Sequence, residues 1–313
     1  MTKNKVLIID GNNLLHRVYW AANVMQNATE TTHIYLFLKS LKSYVELFNP
    51  RKIIVCWDFR EKTVENYRKM LDENYKAQRD EEKSQQVYHC MPIILKLLAT
   101  LGIIQINPKS LEADDIIFWL STIKYPNDSI IVTTDTDMYQ LVSEELPENV
   151  IYNPKRKQEI TPLFLKEHFN VNNGFEFIIQ KALRGDKADN LLGIKGIRST
   201  KIQDILSILK INYDLDSLKD SSLLKEEELE QFKHNLKMMK FDGALISDDE
   251  LDWYEECLAK PKENSKEAFS LLIKELEFWN IYKKVDFWYK TFNRIDFTDV
   301  FASLFDFAIE DHQ

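Results

Sequence analysis

Three short apolar runs, each ending in or followed by aspartate, dominate the first half of this chain. They are KVLIID at 5–10, KIIVCWD at 52–58 and SIIVTTDTD at 129–137. Apolar runs that are rich in β-branched residues and do not alternate with polar residues are typical of parallel strands buried on both faces. The intervening segments are predicted to be helical, at 31–48, 59–86, 87–101 and 112–124. This alternation predicts an α/β fold, doubly wound, with a mainly parallel central sheet flanked by helices.

The pattern changes near residue 160. Before that point, two further strands are predicted at 103–106 and 149–152. Beyond it, the spacing of apolar residues is mainly helical, as in FEFIIQKALRG and STKIQDILSIL, and the end of the chain is rich in aromatic residues. Such aromatic side chains favour packing of this region against the sheet. We therefore expect an α/β domain at 1–160 and a helical C-terminal region at 161–313.

Composition limits the class of protein only loosely. A chain of 313 residues, of which 44% are hydrophobic, can bury a sizeable core. No apolar stretch is long enough to span a bilayer, and the first residues lack a secretory signal pattern, so neither membrane insertion nor export is expected. The cysteines Cys56, Cys90 and Cys257 are far apart, which favours a reduced cytoplasmic compartment and argues against a structural zinc site.

Nine acidic residues lie in five clusters, three of which follow the predicted strands. They are Asp10, Asp58, Glu112, Asp114, Asp115, Asp135, Asp137, Asp186 and Asp189. A single aspartate in such a context is more often a cap or a turn residue, but multiplets repel one another unless a cation lies between them. Open α/β sheets bind ligands beyond the carboxyl ends of their strands. Oxygen ligands without histidine favour Mg²⁺ or Mn²⁺, so the pattern predicts a metal-dependent nuclease.

The net charge of the chain does not exclude nucleic acid as a partner. It is −9, from 41 basic and 50 acidic residues. If the nine clustered acids hold divalent cations, the remaining surface is close to neutral. Local basic clusters are then sufficient to contact phosphate.

Five motifs occur in order between residues 5 and 205, namely LIIDGNN, CWD, LEADD, TTDTDMYQL and GDKADNLLGIKGI. The ordered set resembles the flap endonuclease and 5′-nuclease family. The GDKADN and FKHNLKMMKFD segments are most similar to its bacteriophage members, such as phage RNase H. The resemblance implies a PIN-like 5′-nuclease fold that holds two Mg²⁺ or Mn²⁺ ions. It assigns the first ion to Asp10, Asp58, Glu112, Asp114, Asp115 and Asp135 or Asp137, and the second to Asp137, Asp186 and Asp189.

The charged segment at 59–86 contains NYKAQR, which is similar to the Tyr-Lys-x-x-Arg pattern of the family's helical arch. By that resemblance, Lys76 and Arg79 neutralise the scissile phosphate, and Arg17 reaches the same phosphate. Tyr75 is expected to stack on a base, because aromatic stacking tolerates any nucleotide sequence. The alternative is a solvated surface helix whose charges pair with one another.

The segment GIKGIRSTKIQDIL resembles the family's helix–turn–helix variant, which grips the backbone of duplex DNA. It lies within a predicted duplex-binding motif at about 184–208. Lys195, Arg198 and Lys201 supply positive charge there, and the resemblance implies a K⁺ ion at the Gly193–Ile197 turn. Arg198 stands where a third glycine is common in the family. The alternative is an ordinary connection between two helices.

The motif SLFDF, Ser303–Phe307, lies near the end of the chain. Residues 301–307 resemble peptides that bind a replication sliding clamp. A terminal amphipathic helix packed on the domain is an equally good interpretation of the same residues.

Together these features predict a structure-specific, Mg²⁺-dependent 5′-nuclease that acts as a 5′→3′ exonuclease and flap endonuclease. Its expected partner is branched or nicked DNA, or an RNA–DNA hybrid, with a free 5′ end, from which it removes RNA primers or flaps in replication and repair. A monomer in a bacterial or phage-infected cell is expected, because no heptad pattern appears. The alternatives are a PIN-type single-strand ribonuclease and a non-catalytic protein that binds branched DNA.

Overall fold

The central feature of the computed structural model is a six-stranded sheet in the order β3-β2-β1-β4-β5-β6. The structure describes residues 4–26, 28–29, 31–58, 65–78, 81–212, 215, 217–260 and 264–293. The strands are β1 (Val6–Asp10), β2 (Lys52–Cys56), β3 (Ile104–Ile106), β4 (Ser129–Val132), β5 (Val150–Asn153) and β6 (Gln158–Glu159). The first five strands are parallel, and β6 pairs antiparallel with β5. The predicted doubly wound, mainly parallel sheet is therefore confirmed.

Helices cover both faces of this sheet. The first seven are α1 (Gly11–Asn23), α2 (Thr32–Phe48), α3 (Tyr67–Leu71), α4 (Glu81–Tyr88), α5 (Met91–Thr100), α6 (Ala113–Trp119) and α7 (Pro162–Phe169). A two-stranded hairpin, β7 (Gly185–Asp186) and β8 (Leu191–Leu192), follows α8 (Gly174–Arg184). The remaining helices are α9 (Ser199–Asn212), α10 (Ser217–Asp220), α11 (Glu226–Met239), α12 (Asp248–Ala259), α13 (Lys266–Glu275), α14 (Trp279–Tyr282) and α15 (Val285–Phe292).

The side chains of each buried strand alternate between two hydrophobic cores. Val6 and Ile8 of β1 belong to the core that also contains α6 and most of α7 to α12, whereas Leu7 and Ile9 face the core formed with α1, α2 and α5. Because both faces are covered, the strands can be apolar throughout, which is why they appear as continuous runs in the sequence. The helices α13 to α15 join the second core through Phe269, Phe278, Trp288 and Phe292, which pack against the sheet domain as predicted. The aromatic side chains of Trp279 and Phe287 are instead exposed.

Helix α1 was not among the predicted elements. The Asp10 carboxylate caps it by accepting a hydrogen bond from the Asn13 backbone N–H at 3.0 Å. The helix can start directly at the strand end because Gly11 lies against the Cys56 carbonyl, where a Cβ atom would come within 2.7 Å of that oxygen. The asparagines after Gly11 concealed this helix, since polar residues at a helix start interrupt the apolar spacing.

The segment predicted as one long helix at 59–86 is broken in its described parts. The short helix α3 ends at Leu71, and turns follow from Glu73 to Gln78. The Asp72 carboxylate accepts a hydrogen bond from the Asn74 backbone N–H at 2.9 Å, and Lys76 has a positive φ of 57°. Local side-chain bonds of this kind compete with helical backbone bonding and explain the break. Residues 59–64 and 79–80 lie outside the described residues.

Among the helices that the structure describes, none combines the length and the apolar character that crossing a membrane requires. The proposed division of the chain at residue 160 stays a prediction.

Candidate active site

The first group of acids lies where β1 and β4 end side by side. The Thr133 hydroxyl donates a hydrogen bond to Asp10 Oδ2 at 2.8 Å and accepts one from the Asp135 backbone N–H at 3.0 Å. These two strands are parallel neighbours, so their carboxyl ends meet at one edge of the sheet. One threonine therefore fixes two predicted metal ligands relative to each other.

Asp58 connects this edge to the start of α6. Its carboxylate accepts a hydrogen bond from the Ala113 backbone N–H at 2.7 Å, which brings the neighbouring Asp114 into the group. The Asp58 backbone N–H in turn donates to Asn12 Oδ1 at 2.9 Å. The ends of β1, β2 and β4 and the start of α6 thus converge on one place, as the strand-end pattern predicted.

The pKa values of Asp10 and Asp114 are raised in part by repulsion among the carboxylates of this first group. Burial is the largest cause that raises the pKa of Asp10 from 3.8 to about 7, and Asp135 and Asp58 add to the shift. Burial and the charges of Asp135, Asp10, Asp58 and Glu112 likewise hold the pKa of Asp114 well above its usual value. A buried group of like charges is costly unless a cation compensates it. The donor set, oxygen alone, fits a hard divalent ion such as Mg²⁺ or Mn²⁺.

These pKa shifts predict how the stability of the metal-free protein depends on pH. Because folding raises the pKa of Asp10 from 3.8 to about 7, the folded protein binds more protons than the unfolded chain between these values. The stability that this proton contributes is fully present below the unfolded pKa and is lost as pH rises through about 7. In EDTA, the melting temperature should therefore fall from about pH 5.5 to about pH 8.

The matched variant for this prediction is Asp10→Asn, which keeps the size and a hydrogen-bonding oxygen but does not titrate. It should melt at a higher temperature than the wild type at about pH 8 in EDTA and should depend less on pH. Thermal unfolding followed by circular dichroism measures both. An undiminished pH dependence in Asp10→Asn would contradict the assignment of the shift to this carboxyl group.

The second group consists of Asp137, Asp186 and Asp189, whose carboxylate oxygens all lie within 4.8 Å of one another. Asp137 begins a short 3-10 helix after β4, and the Asp137 backbone N–H donates to Asp135 Oδ1 at 2.9 Å, which links the two groups. Asp186 ends β7, and Asp189 lies in the β7–β8 turn. Sequence resemblance had assigned these three residues to the second ion.

Lys181 of α8 contacts this second group. Its ammonium donates to Asp186 Oδ2 at 2.7 Å and also forms an ion pair with Asp137. Although burial acts in the opposite direction, Lys181 lowers the pKa of Asp186 below its usual value. Sequence reasoning missed this lysine, because it lies within the ordinary apolar spacing of α8 and carries no motif of its own.

Glu112 lies between the first group and the 65–78 segment. It accepts hydrogen bonds from Lys76 Nζ at 2.7 Å, from the Tyr75 hydroxyl at 3.1 Å and from Asn66 Nδ2 at 3.1 Å. Although burial acts in the opposite direction, Lys76 and Arg68 together lower the pKa of Glu112 to about 2. Lys76 thus lies at the acidic site, where its ammonium contacts the Glu112 carboxylate. This position is compatible with its predicted role of neutralising the scissile phosphate.

Asp115 was predicted to hold the first ion, but both of its oxygens are engaged by Arg68. The guanidinium donates to Oδ2 at 2.7 Å and to Oδ1 at 2.8 Å, and Arg68 Nε donates to the Met238 carbonyl at 2.9 Å. Asp115 also caps α6, since Oδ2 accepts from the Glu112 backbone N–H at 3.0 Å. A buried guanidinium requires such a partner, and this requirement turns Asp115 away from the metal role.

Arg68 was missed at the sequence level. In the sequence it is one of many charged residues in a polar segment. Its burial depends on tertiary contacts, such as the hydrogen bond to the Met238 carbonyl at the end of α11.

Two further predictions are corrected by the positions of the side chains. Tyr75, expected to stack on a base, is 3% exposed and belongs to the hydrophobic core, because its ring packs inward while its hydroxyl meets Glu112. Arg17, expected to reach the scissile phosphate, donates to the Tyr44 hydroxyl on α2 and lies over the Tyr44 ring. Arg79 lies outside the described residues, as do Ser303–Phe307.

The predicted duplex-binding motif folds as helix α8, the β7–β8 hairpin, a turn and helix α9. The turn is closed by a hydrogen bond from the Ile197 N–H to the Ile194 carbonyl at 3.3 Å, and Gly196 has a φ of 70°. Lys195 and Arg198 are exposed, whereas Lys201 forms an ion pair with Glu228 at 3.5 Å. The hairpin pairs Asp186 with Leu191 and sets Gly193, at the start of this turn, against Gly185.

The 5′-3′ exonuclease family, in its N-terminal resolvase-like domain, matches residues 5–170 of this chain. The chain belongs to this family. It is 33% identical to a 5′-3′ exonuclease of Bacillus subtilis over 208 residues, which are 63% of this chain and 68% of that protein. It is also 29% identical to DNA polymerase I of Caldicellulosiruptor bescii over 293 residues, which are 90% of this chain but only 33% of the polymerase. The chain thus spans a third of that polymerase.

The fold of this 5′-3′ exonuclease family member is shared with a bacteriophage T5 flap endonuclease, solved as a pseudo-enzyme–product complex with DNA and metal ions. The TM-score is 0.62, with 21% identity, and the match covers 81% of this chain and 97% of the other. At this identity the likeness shows the fold. Together with the family match, it confirms the resemblance on which the sequence interpretation rested.

Proposed function

We propose that this protein is a structure-specific, metal-dependent 5′ nuclease that cuts phosphodiesters near the 5′ end of branched or nicked DNA and of RNA–DNA hybrids. One observation carries the proposal. Two groups of carboxylates lie at one edge of the sheet, joined by the hydrogen bond from the Asp137 N–H to Asp135, with a lysine at each group. Paired carboxylate groups of this kind suit two divalent ions and a phosphodiester.

The acids that would hold the ions follow from the contacts. Asp10, Asp58, Glu112, Asp114 and Asp135 would hold the first ion, and Asp137, Asp186 and Asp189 the second, as Mg²⁺ or Mn²⁺. Such ions lower the pKa of an attacking water and stabilise charge on the phosphate oxygens. Thr133 and Ala113 keep Asp10 and Asp58 in place through their hydrogen bonds, so the chain itself fixes the geometry of the site.

Basic residues would bind the phosphates of the substrate. Lys76 is close enough to the acids to neutralise a phosphate bound there, and Arg79 follows three residues later in the chain. Lys195 and Arg198 are exposed on the turn before α9 and would contact the duplex backbone, with K⁺ as the cation proposed for the Gly193–Ile197 turn. Contacts of this kind are to phosphate alone, so selectivity for DNA structure rather than base sequence is expected.

The biological setting is proposed on the same basis. The protein would remove RNA primers or displaced 5′ strands during replication and repair, as a monomer in the cytoplasm of a bacterial or phage-infected cell. Ser303–Phe307 would bind a sliding clamp. Deletion of residues from Ser303 onward should then spare cleavage and abolish stimulation by the clamp, and unchanged stimulation would contradict the clamp proposal.

A panel of 5′-labelled substrates tests the proposed function. It comprises a 5′ flap, a nicked duplex, a 5′ RNA–DNA hybrid and the unpaired single strand, each incubated with Mg²⁺, with Mn²⁺ and with EDTA. We expect short 5′ products from the first three substrates with either ion and none with EDTA. Preferential cleavage of unpaired RNA would favour the single-strand ribonuclease instead, and flap binding without cleavage under any condition would favour a non-catalytic DNA-binding protein.

A further inference from the structure

Lys181 has an unusual position for a residue with no role so far in the proposed reaction. Its ammonium lies among the acids of the second group, 2.7 Å from Asp186 Oδ2 and paired with Asp137, and its side chain is only 13% exposed. The carboxylate oxygens that it contacts belong to the same group that a divalent ion would use. The ammonium and the ion therefore need the same ligand atoms.

The placement of Lys181 is built into the fold. Its neighbours Ile179, Ala182 and Leu183 on α8 are buried in the core, which fixes the helix under the acidic group. Gly185 ends α8 with a φ of 73° and lets the chain turn directly into Asp186. A Cβ atom on Gly185 would come within 2.3 Å of the Gly193 nitrogen, so the close approach of the two chain segments requires glycine here. Lysine and carboxylates are thus held together by the backbone.

The ammonium of Lys181 lies where a bound metal ion would also be attracted, at the carboxylates of the second group. Lys181 contacts two of the three carboxylates, those of Asp137 and Asp186, in a group whose oxygens all lie within 4.8 Å of one another. Lys76 stands in a similar relation to Glu112 of the neighbouring group, at 2.7 Å. Partly buried like charges are stabilised by any cation that can reach them, whether it is a side chain or a metal ion.

We propose that Lys181 is a resident counterion of the second metal site, which a divalent ion must displace, so that this lysine sets the ion concentration at which the site fills. The inference rests on the proposed function, because it takes Asp137, Asp186 and Asp189 as the ligands of the second ion. In the metal-free protein the ammonium bridges the carboxylates of Asp137 and Asp186. Displaced from these oxygens, the ammonium would be available to a phosphate of the substrate.

The test is a titration with Mn²⁺, without DNA, by isothermal calorimetry on the full chain. In Lys181→Met, which keeps the length of the side chain and removes its charge, we expect one of the two ions to bind at least about fivefold more tightly, because a unit charge a few ångströms from the site repels the ion. In Lys181→Arg the charge remains, so the affinity should stay within about twofold of the wild type. An equal gain in both variants, or no gain in Lys181→Met, would overturn the proposal.

Two controls locate the effect. Lys187→Met removes the same charge from an exposed position in the β7–β8 turn and should leave both affinities unchanged. In an Asp189→Asn background, which weakens the second site, the gain from Lys181→Met should disappear. Persistence of the gain there would place the competition elsewhere and would refute the role of Lys181 at this site.

Failure of this inference is distinguishable from failure of the proposed function. Wild-type protein that cleaves the flap with Mn²⁺, while Lys181→Met binds the ion no more tightly, refutes the counterion role alone. Wild-type protein that neither binds Mn²⁺ nor cleaves the flap refutes both. Lys181→Met should also lower the melting temperature in EDTA, where Asp137 and Asp186 lose their contact with the ammonium. Lys181→Gln repeats the titration with a shorter neutral side chain.

Discussion

Replacement of Asp114 by asparagine should reduce the rate of flap cleavage roughly a thousandfold, which corresponds to about 4 kcal/mol of transition-state stabilisation. Asp114 lies among Asp10, Asp58, Asp135 and Glu112, whose charges raise its pKa together with burial. Its carboxylate is therefore central to the proposed ion site, and a neutral amide holds a divalent ion far less well. The measurement is single-turnover cleavage of a 5′-labelled flap at saturating enzyme.

The substitution should act on catalysis and not on DNA binding, because the proposed duplex contacts come from Lys195 and Arg198. Flap affinity measured by fluorescence anisotropy should thus remain within about threefold of the wild type. Asp252→Asn makes the same chemical change on the exposed face of α12 and should leave both quantities unaltered. Cleavage by Asp114→Asn at more than about a tenth of the wild-type rate would contradict the proposed role of this carboxylate.

Replacement of Arg68 by methionine should lower the free energy of unfolding by about 3 to 5 kcal/mol, because it leaves buried carboxylates without their partner. Arg68 is 4% exposed, and it holds Asp115 through two hydrogen bonds and also the carbonyl of Met238. Urea denaturation followed by circular dichroism measures the loss. Lys69→Met, on the exposed side of the same short helix, should change the stability by less than about 0.5 kcal/mol.

A double variant separates the charge effect from the loss of packing. Asp115→Asn removes the carboxylate charge while an oxygen remains to accept from the Glu112 N–H. In Arg68→Met with Asp115→Asn, part of the loss should be recovered, since the uncompensated buried charge is reduced. If the double variant is as unstable as the sum of the single variants, the ion pair is not the cause.

The strands and the edge at which their acids meet could be predicted because both depend on local sequence. KVLIID and SIIV are buried on both faces, so their apolar character alone marks them as parallel strands. An aspartate after such a strand must lie at the carboxyl edge, whatever the rest of the chain does. That geometry is why Asp10, Asp58 and Asp135 were placed correctly from the sequence.

The contacts of the 65–78 segment could not be predicted, because they depend on partners far along the chain. Tyr75 and Arg68 lie in a polar run that favours an exposed helix, yet both are buried against Glu112, and Arg68 also contacts the end of α11. In the sequence, Asp115 has the same appearance as its neighbour Asp114. Only the folded structure shows that the Arg68 guanidinium donates hydrogen bonds to its carboxylate. The residue pattern of one segment does not show which side chains of that segment will pair with a buried charge on a distant segment.

Manganese diffraction tests the central claim most directly. Crystals grown with Mn²⁺ and measured at its absorption edge should give two anomalous peaks at the carboxyl edge of the sheet. One should be contacted by acids of the first group, among them Asp10, Asp58, Asp114 and Asp135, and the other by Asp137, Asp186 and Asp189. Absence of either peak in crystals of protein that cleaves the flap with Mn²⁺, or ions bound only elsewhere, would contradict the two-ion account of this site.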